Sequence, residues 1–280
     1  MSSIPVTRAR LVKDLRGLGV RPGMTLLVHS SMKKIGHVCG GAVTVIEALL
    51  EVLGPDGTLM MPTHTGENSD PARWRHPPVP PEIHEEIRRS MPAFDPARTP
   101  SSRMGAIPEL FRTWPGVSRS GHPVGSFAAL GPRVEELLAP HGLSDMFGEG
   151  SPVARLYDLG GWVLLLGVGH DRNTSLHLSE HRADWDGAER ITEGSAVMVD
   201  GERRWVNYEM PAYDHDDFVA LGEAFEEGGS LACGCVGAAP CRLMSQRELV
   251  DFGVSWISAK RPQGQTRSVG APSDRGDVGL

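Results

Sequence analysis

One stretch of the sequence combines side chains that could remove a proton from a nucleophile. Thr174, His177 and Glu180 follow one another at intervals of three residues, in a segment that begins at Gly167. If a helix starts at Asn173 or Thr174, this spacing places the three side chains on nearly one face, with His177 in the first turn. A carboxylate beside a histidine fixes its tautomer and raises its basicity, as general-base catalysis requires. We therefore predict a catalytic group of His177, Glu180 and Thr174, although the residue types alone leave open whether Glu180 reaches the His177 ring.

The same residues allow other interpretations. His177 could be a packed helix histidine and Glu180 a surface acid, since perturbed histidine–carboxylate pairs are often structural. His170 is a competing base because it follows a buried strand, at the edge where α/β sheets bind ligands. Its alternative role is a hydrogen bond that holds the loop. A metal hydrolase is disfavoured, because no pair among His29, His64, His170 and His177 has the spacing of H-E-x-x-H, and we predict no metal site.

Charge is distributed unevenly along this chain, whose net charge is −7. The basic segment, residues 1–37, carries seven Lys or Arg against one acid, and the acidic segment, residues 180–227, carries fourteen acids against four Arg. Such a chain could hold an anionic ligand and a cationic ligand together, or both segments could be solvated faces. The acids that we consider as partners of a cationic substrate are Glu67, Asp70, Asp214, Asp216, Glu223 and Glu226.

The elements that must position these residues read as an α/β unit. The pattern predicts a strand at 25–28, a helix at 43–53, a strand at 58–61, a very apolar strand at 162–168 and a helix that ends near residue 183. The strand–helix–strand order indicates a parallel pair, and polar residues follow the strand ends, where ligands bind in such sheets. Further predicted elements are a helix at 8–18 closed by Gly19, a hairpin at 195–208 with its turn at Asp200-Gly201, and helices at 216–225 and 246–256.

The fold class that follows is a single α/β/α domain with a largely parallel or mixed central sheet and a β-hairpin-containing C-terminal part. Residues 66–104, the Pro-rich segment, form a long loop insertion that we expect to be ordered, because it contains apolar anchors such as Phe94. We assign residues 1–260 to the folded domain and residues 261–280, which are polar and rich in Gly, Ser and Pro, to a disordered tail.

Composition narrows the class of protein further. Hydrophobic residues make up 40% of the chain, no apolar run is long enough to span a membrane, and the start lacks a secretory signal. We therefore expect a cytoplasmic monomer or homodimer without nucleic-acid or membrane partners. Cys233, Cys235 and Cys241 do not have the spacing of a structural zinc site, and we interpret them as buried or half-buried reduced thiols.

The sequence resembles the aminoglycoside 3-N-acetyltransferases of the antibiotic N-acetyltransferase family. The resemblance runs from about Leu15 to Phe252, and the matching segments are 18–23, 27–31, 57–63, 91–96, 119–123 and 167–180. It implies direct transfer of an acetyl group from acetyl-coenzyme A to the 3-amino group of the 2-deoxystreptamine ring, which gives resistance to the antibiotic. It also maps the catalytic base onto His177, in the pattern Asn-Thr-x-x-His-x-x-Glu, and so ranks His177 above His170.

The resemblance extends the expected site. Expected coenzyme contacts are His29, Ser30, Ser31, Met32, Lys33, Lys34, Ile35, Ser101, Ser102, Arg103 and Phe127. Expected aminoglycoside contacts are the six acids named above together with Phe94, Asp171, Asn173 and Tyr208. The chain departs from many relatives at Ser101, where they have Thr.

Two other functions remain open from sequence. The first is an acetyltransferase of this family that acts on a different amine. The second is a protein that binds an aminoglycoside or the coenzyme without catalysis, which the presence of both His177 and Glu180 disfavours.

Overall fold

The computed structural model describes residues 5–75, 77–185, 189–229 and 231–261. In these ranges the strands are, in chain order, β1 (Thr25–Ser30), β2 (Thr58–Pro62), β3 (Ser118–Arg119), β4 (Phe127–Leu130), β5 (Trp162–Leu166), β6 (Arg190–Val199), β7 (Glu202–Pro211), β8 (Leu231–Val236) and β9 (Ala239–Ser245). Seven of these strands form one sheet in the order β3-β4-β2-β1-β5-β9-β8, and β6 pairs with β7 alone.

The centre of the sheet is parallel and its two sides are antiparallel. β1 lies between β2 and β5 and runs parallel to both. The remaining neighbours, β4 and β3 on one side and β9 and β8 on the other, pair in antiparallel fashion. The three parallel strands therefore end at one edge, which is the usual place for a ligand in an α/β sheet.

Helices cover both faces of the sheet. They are α1 (Arg8–Leu18), α2 (Met32–Ile35), α3 (Gly41–Leu53), α4 (His84–Ser90), α5 (Ala106–Phe111), α6 (Val134–Leu137), α7 (Pro152–Asp158), α8 (Ser175–Arg182), α9 (Phe218–Glu227) and α10 (Gln246–Lys260). Because side chains of a strand alternate between faces, Leu26 and Val28 of β1 join the core with α1 and α3. Leu27 instead joins the core with α7 and α8. The α/β/α arrangement and the mixed sheet confirm the predicted fold class.

The predicted hairpin is present and is longer than expected. Its strands span residues 190–211, with the turn at Asp200 and Gly201, both of which have positive φ angles of 52° and 80°. The Pro-rich segment packs on this hairpin: Phe94 N donates to Ala196 O at 2.8 Å, and Arg203 Nε donates to Met91 O at 3.0 Å. The segment is therefore ordered where it is described, with α4 and three short 3-10 helices within it.

Several elements differ from the sequence prediction. The antiparallel pair of β8 and β9 was not predicted, and α10 continues to Lys260 instead of ending near residue 256. The interpretation of the thiols is wrong for Cys233 and Cys235, which are exposed because β8 is the edge strand of the sheet, whereas Cys241 on β9 is buried.

The end of the described chain bears on the predicted tail. Arg261, the first residue assigned to the tail, is 7% exposed and packs in the protein, while residues 262–280 lie outside the described residues. No helix in the described ranges is long and apolar enough to cross a membrane.

Candidate active site

The carboxyl ends of the parallel strands bring together polar side chains from distant parts of the sequence. His29 lies at the end of β1, His64 follows β2, and the segment after β5 leads into α8. Thr174, immediately before α8, is joined to His29 by a hydrogen bond of 3.3 Å between its Oγ1 and the ring Nε2. This contact ties the end of β1 to the start of α8, so the three strand ends and the helix form one site.

His177 and Glu180 form a hydrogen-bonded pair one turn apart on α8. Nδ1 of His177 lies 3.0 Å from Oε2 of Glu180, and the carboxylate is only 5% exposed. A carboxylate can only accept, so His177 donates from Nδ1 and keeps the lone pair on Nε2. The structure thus answers the question that the sequence left open: Glu180 does reach the ring, in the geometry of a base and its orienting group.

The second oxygen of Glu180 is held by two donors. Arg261 Nη1 donates to Oε1 at 2.6 Å, and the backbone N–H of Asp214 donates to the same atom at 2.9 Å. Arg261 in turn makes a bidentate ion pair with Asp217, with bonds of 2.7 and 2.8 Å. Burial alone would lower the pKa of Arg261, but the bonds to Asp217 and Glu180 outweigh it and raise that pKa. The carboxylate is therefore fixed from both sides.

Aromatic rings enclose His177. Phe147 stacks on the imidazole with a centroid distance of 4.9 Å and an interplanar angle of 8°, while Tyr213 and Phe218 lie at 5.0 and 4.8 Å. Burial lowers the pKa of His177, and Glu180 only partly offsets this effect. Burial therefore favours the neutral imidazole, the state that a general base requires.

His170, the competing base, is committed to a structural contact. Its Nε2 lies 3.1 Å from Oε1 of Glu226 on α9, and its ring packs directly against Gly222 on the same helix. Burial lowers the pKa of His170 against the opposing effect of Glu226. Arg242 donates to the same Glu226 oxygen. His170 thus makes a hydrogen bond between its loop and α9, the kind of contact that the sequence offered as its alternative role.

The two predicted coenzyme segments meet at this edge. The backbone N–H of Ser102 donates to His64 O at 2.8 Å, and a Cβ at Gly105 would lie 4.0 Å from Ser30 O. Ser30 Oγ is buried and has no hydrogen-bond partner among the described residues. His29 is 4% exposed, with a pKa lowered to about 3 by burial. Ser31, Met32, Lys33 and Lys34 continue from β1 into α2, and the two lysines are exposed.

The other four predicted coenzyme residues differ in exposure and in contacts. Ile35 and Phe127 are fully buried core residues, so their side chains offer no surface to a ligand; Phe127 instead packs edge-on against His64 at 5.2 Å. Ser101 Oγ donates to Glu109 Oε2 at 2.7 Å and is thus already engaged. Arg103 is exposed in a left-handed turn with φ of 57°.

Glu109, the partner of Ser101, is a firmly ionised carboxylate. Burial raises its pKa, but bonds from Arg112 and Ser101 outweigh burial and lower the pKa to about 2. Ser101 donates to this ionised carboxylate from both its backbone N–H and its hydroxyl. These bonds hold the loop that carries Ser102.

The predicted aminoglycoside contacts divide into two groups. Three of the acids are exposed: Asp216 and Glu223 on or near α9, and Glu67 in the Pro-rich segment. Asp214 is half-buried; its backbone N–H donates to Glu180 and its carboxylate accepts from Asp216 N. Asp171 pairs with its neighbour Arg172, its Oδ2 lying 3.0 Å from the guanidinium Nε.

Other predicted contacts are engaged within the protein. Asp70 makes a bidentate ion pair with Arg88 at 2.8 and 3.2 Å, and Glu226 serves His170 and Arg242 as described above. Three side chains of this group are buried. Phe94 lies beneath the Arg119 guanidinium at 5.1 Å, and Asn173 accepts from Ser175 N at 3.3 Å. The Tyr208 hydroxyl bonds to Ser195 Oγ at 3.1 Å, and burial raises the pKa of Tyr208 to about 12.

Sequence reasoning did not single out several residues that the structure brings to His177. Arg261 was assigned to the tail, and Phe147, Tyr213 and Phe218 carried no signal. His64 was placed past a strand end, at the expected ligand edge, but was given no role there. Burial lowers the pKa of His64 far below its usual range, and its Nε2 is buried without a partner in the described ranges. A histidine directly after a buried strand was the signal that could have identified His64 as a site residue. Among the described residues no three His, Cys, Asp or Glu are arranged to hold a metal ion.

Comparison with known proteins gives the family. A family model described as aminoglycoside 3-N-acetyltransferase matches residues 27–258 of the chain. The chain belongs to this family. The aminoglycoside N(3')-acetyltransferase-like protein YokD, derived from prophage SPbeta in Bacillus subtilis (strain 168), is 43% identical over 91% of this chain and 94% of its own length. Aminoglycoside N(3)-acetyltransferase VIII of Streptomyces fradiae is 39% identical over 91% of this chain and 93% of its own length.

Solved structures of family members share the fold. The crystal structure of YokD from Bacillus subtilis superposes with a TM-score of 0.90, covering 92% of this chain and 96% of YokD. The structure of AAC-IIIb in a binary complex with CoASH superposes with a TM-score of 0.83 at 32% identity, covering 94% of this chain and 100% of AAC-IIIb. The aminoglycoside 3-N-acetyltransferase family thus includes a member with the coenzyme bound and the same architecture along nearly its whole length.

Proposed function

We propose that this member of the aminoglycoside 3-N-acetyltransferase family transfers the acetyl group of acetyl-coenzyme A to the 3-amino group of the 2-deoxystreptamine ring of aminoglycoside antibiotics. Transfer is direct, with both substrates bound at once and His177 as general base. The family membership of nearly the whole chain supports the reaction class. Acetylation removes the charge of an amine and so weakens the antibiotic, which makes the activity one of resistance.

The hydrogen bond between His177 Nδ1 and Glu180 carries this proposal. An attacking amine is a nucleophile only after it loses its proton, and the acceptor must be a neutral base with an oriented lone pair. The bond to Glu180 puts that lone pair on Nε2, and burial keeps the ring neutral. As Nε2 takes the proton, the ring becomes cationic, and the adjacent carboxylate stabilises the charge that develops.

Thr174 is proposed to stabilise the negative charge that develops on the thioester oxygen during attack. Its Oγ1 lies 3.3 Å from Nε2 of His29, a ring whose burial keeps it neutral. If His29 donates from Nε2, the Thr174 hydroxyl is left to donate in turn to an oxygen that gains negative charge.

The residues at the strand ends fit the coenzyme. Acetyl-coenzyme A supplies an acetyl group activated as a thioester, on an arm with amide groups and an anionic phosphate end. Ser30 Oγ is a buried hydroxyl without a partner in the described ranges, as expected where a polar ligand group is to be bound. The exposed Lys33 and Lys34 on α2 provide cations for the phosphates. We propose Ser30, Ser31, Lys33, Lys34 and Ser102 as the residues that hold the coenzyme.

The acidic segment is proposed to bind the amines that do not react. Asp214 and Asp216 lie on the loop whose backbone contacts Glu180, the partner of the proposed base. An aminoglycoside carries several ammonium groups, and carboxylates around the site attract and orient them. Glu67 and Glu223 are the further exposed candidates.

The test combines a rate measurement with identification of the product. Release of coenzyme A thiol from acetyl-coenzyme A is followed with and without each aminoglycoside, and mass spectrometry locates the added acetyl group. His177→Gln is expected to lower kcat by about 10²–10⁴, because a general base contributes about that factor. Its matched control is His181→Gln, an exposed histidine on the same helix, which is expected to retain the wild-type rate.

Each outcome decides between functions. Drug-dependent thiol release that His177→Gln abolishes supports the proposal, and acetylation at an amine other than position 3 contradicts its regiochemistry. No transfer to any aminoglycoside, with transfer to other amines, shows that the substrate is different. Binding of drug and coenzyme without thiol release shows a binding protein. A covalent acetyl-enzyme detected by mass spectrometry contradicts direct transfer.

A further inference from the structure

Arg261 lies directly after α10, beyond the last residue matched by the family model, yet it contacts the centre of the site. Its side chain is 6% exposed. It donates to Glu180 Oε1 at 2.6 Å, to both carboxylate oxygens of Asp217 and to the backbone oxygen of Asp214 at 2.8 Å. The guanidinium also lies over the Trp185 ring at 4.6 Å. A cation this deeply buried is tolerated only because all of these partners are present.

We propose that Arg261 is a positioning residue of the active site, whose guanidinium holds Glu180 against His177 and balances the charge of the carboxylate. This inference rests on the function proposed above for His177. It assigns a role in the reaction to a residue that touches neither substrate, through a chain of contacts that runs from Asp217 to Arg261, Glu180 and the His177 ring.

The geometric part of the role follows from the two oxygens of Glu180. Oε2 accepts from His177, and Oε1 accepts from Arg261 and from Asp214 N–H. With both oxygens occupied, the carboxylate cannot rotate about its Cγ–Cδ bond without breaking bonds. The His177 ring is therefore held with Nε2 pointing in one direction, which is what a base must offer to an amine.

The electrostatic part follows from the sum of charges. Glu180, Asp217 and Arg261 together carry a net charge of about −1 at neutral pH by their ordinary ionisation states. Glu180 raises the pKa of His177, and Arg261 lowers it. Removing Arg261 leaves the buried carboxylate of Glu180 and the half-buried carboxylate of Asp217 without their cation, so the His177–Glu180 pair must hold a proton more tightly. Removing the charge of Asp217 has the opposite effect, so the His177–Glu180 pair holds a proton less tightly.

The remaining groups that face His177 stay in place in both changes. Those from other elements are the aromatic rings of Phe147, Tyr213 and Phe218, and the imidazoles of His64 and His215. Of these, His215 lowers the pKa of His177. None of them bonds to Arg261 in the described structure, so the comparison between variants isolates the guanidinium and its carboxylate partners.

The experiment compares Arg261→Met with Asp217→Asn in the full-length protein. Two quantities are measured: the pH at half-maximal protonation of His177, from NMR titration of the imidazole with the His177→Gln variant for assignment, and the acidic limb of kcat/KM. Arg261→Met is expected to move both upward by about one pH unit, the size typical of a charge removed at this range. Asp217→Asn is expected to move both downward. Arg261→Lys retains a charge without the bidentate fork and is expected to fall between wild type and Arg261→Met.

Arg182→Met is the matched control. Arg182 also makes a bidentate ion pair, with Glu149 at 2.7 and 2.8 Å, and also lies over an aromatic ring, Tyr157, at 4.3 Å, but it does not contact Glu180. It is expected to lose thermal stability without moving the His177 titration. If Arg261→Met behaves like this control, Arg261 is only structural and the proposal is overturned.

The readouts separate this proposal from the proposed function. The NMR titration does not depend on the reaction, so opposite shifts in Arg261→Met and Asp217→Asn support the coupling even if His177→Gln leaves kcat unchanged. Should Arg261→Met fail to fold, Asp217→Asn and Arg261→Lys still decide the question. Identical titrations of His177 in wild type and in both of these variants would contradict it.

Discussion

Replacing Glu180 by glutamine reverses the tautomer of His177, because surrounding donors decide which way the new amide points. Oε1 of Glu180 accepts from the Arg261 guanidinium and the Asp214 N–H, and neither of these donors can accept. The amide oxygen of glutamine must therefore take this place, which leaves its NH2 group facing Nδ1 of His177. Nδ1 then becomes an acceptor, the ring proton moves to Nε2, and the base loses the lone pair that it needs.

The expected loss of kcat follows from the free energy needed to restore the active tautomer of His177. To restore the active tautomer, the amide must flip and turn its NH2 group towards Arg261 and Asp214. This flip breaks two hydrogen bonds and leaves buried donors unpaired, at a cost of about 3–5 kcal/mol in total, since each unsatisfied buried group costs about 1–3 kcal/mol and charged ones more. The active tautomer is then populated at about 10⁻² to 10⁻⁴, and kcat should fall by the inverse factor. In serine-protease triads, replacing the orienting aspartate by asparagine lowers kcat by about 10⁴, which is of the same order.

The assay is steady-state thiol release with drug at saturation, between pH 6 and 9. Raising the pH is not expected to rescue Glu180→Gln, because the inactive ring is already neutral. Glu149→Gln, which removes the charge of an exposed partner of Arg182, serves as control and should keep the wild-type kcat. A Glu180→Gln enzyme with kcat within about threefold of wild type would refute the argument, provided that its thermal unfolding shows a folded protein.

Three further predictions test other parts of the molecule. Replacing both Lys33 and Lys34 by glutamine should raise KM for acetyl-coenzyme A several-fold and leave KM for drug nearly unchanged, because cations bind phosphate. If the variant and the wild type have the same KM for the coenzyme, these lysines do not bind its phosphates. KM for drug should rise with salt, since exposed carboxylates of the acidic segment are screened over about 8 Å at physiological ionic strength; a flat salt titration would show a merely solvated face. Gly222→Ala should lower the free energy of unfolding in urea by about 1–3 kcal/mol through overpacking, because its Cβ would lie 2.0 Å from His170 Cγ. Gly17→Ala in α1, where the added Cβ would meet nothing within 4 Å apart from the helix's own nearby backbone, is the control that should be neutral or stabilising.

Much of the site could be predicted from local sequence. The spacing of His177 and Glu180 required only a helix that starts near Thr174, and α8 begins at Ser175. The turn at Asp200-Gly201 and the helix end at Gly19 also follow from residue type, because these positions have positive φ angles that such residues favour. Patterns of this kind depend on residues that are close in sequence, so they can be recognised without knowledge of the fold.

What the tertiary structure decided is which distant groups complete these local ones. Arg261 was read as the start of a polar tail, and only the packing of α10 beside α8 brings it to Glu180, 81 positions away in the sequence. The contacts of His170 likewise depend on α9, because its ring packs against Gly222 and its Nε2 lies 3.1 Å from Glu226 Oε1. Ile35 on α2 and Phe127 on β4 were expected to contact the coenzyme, but packing against other elements buries both side chains fully in the core. The sequence by itself therefore determined the fold class and the placement of His177 and Glu180 as neighbours on one helix face, both of which follow from short-range periodicity. Long-range packing, which sets burial and long-range pairing of charges, decided the chemical state of that pair.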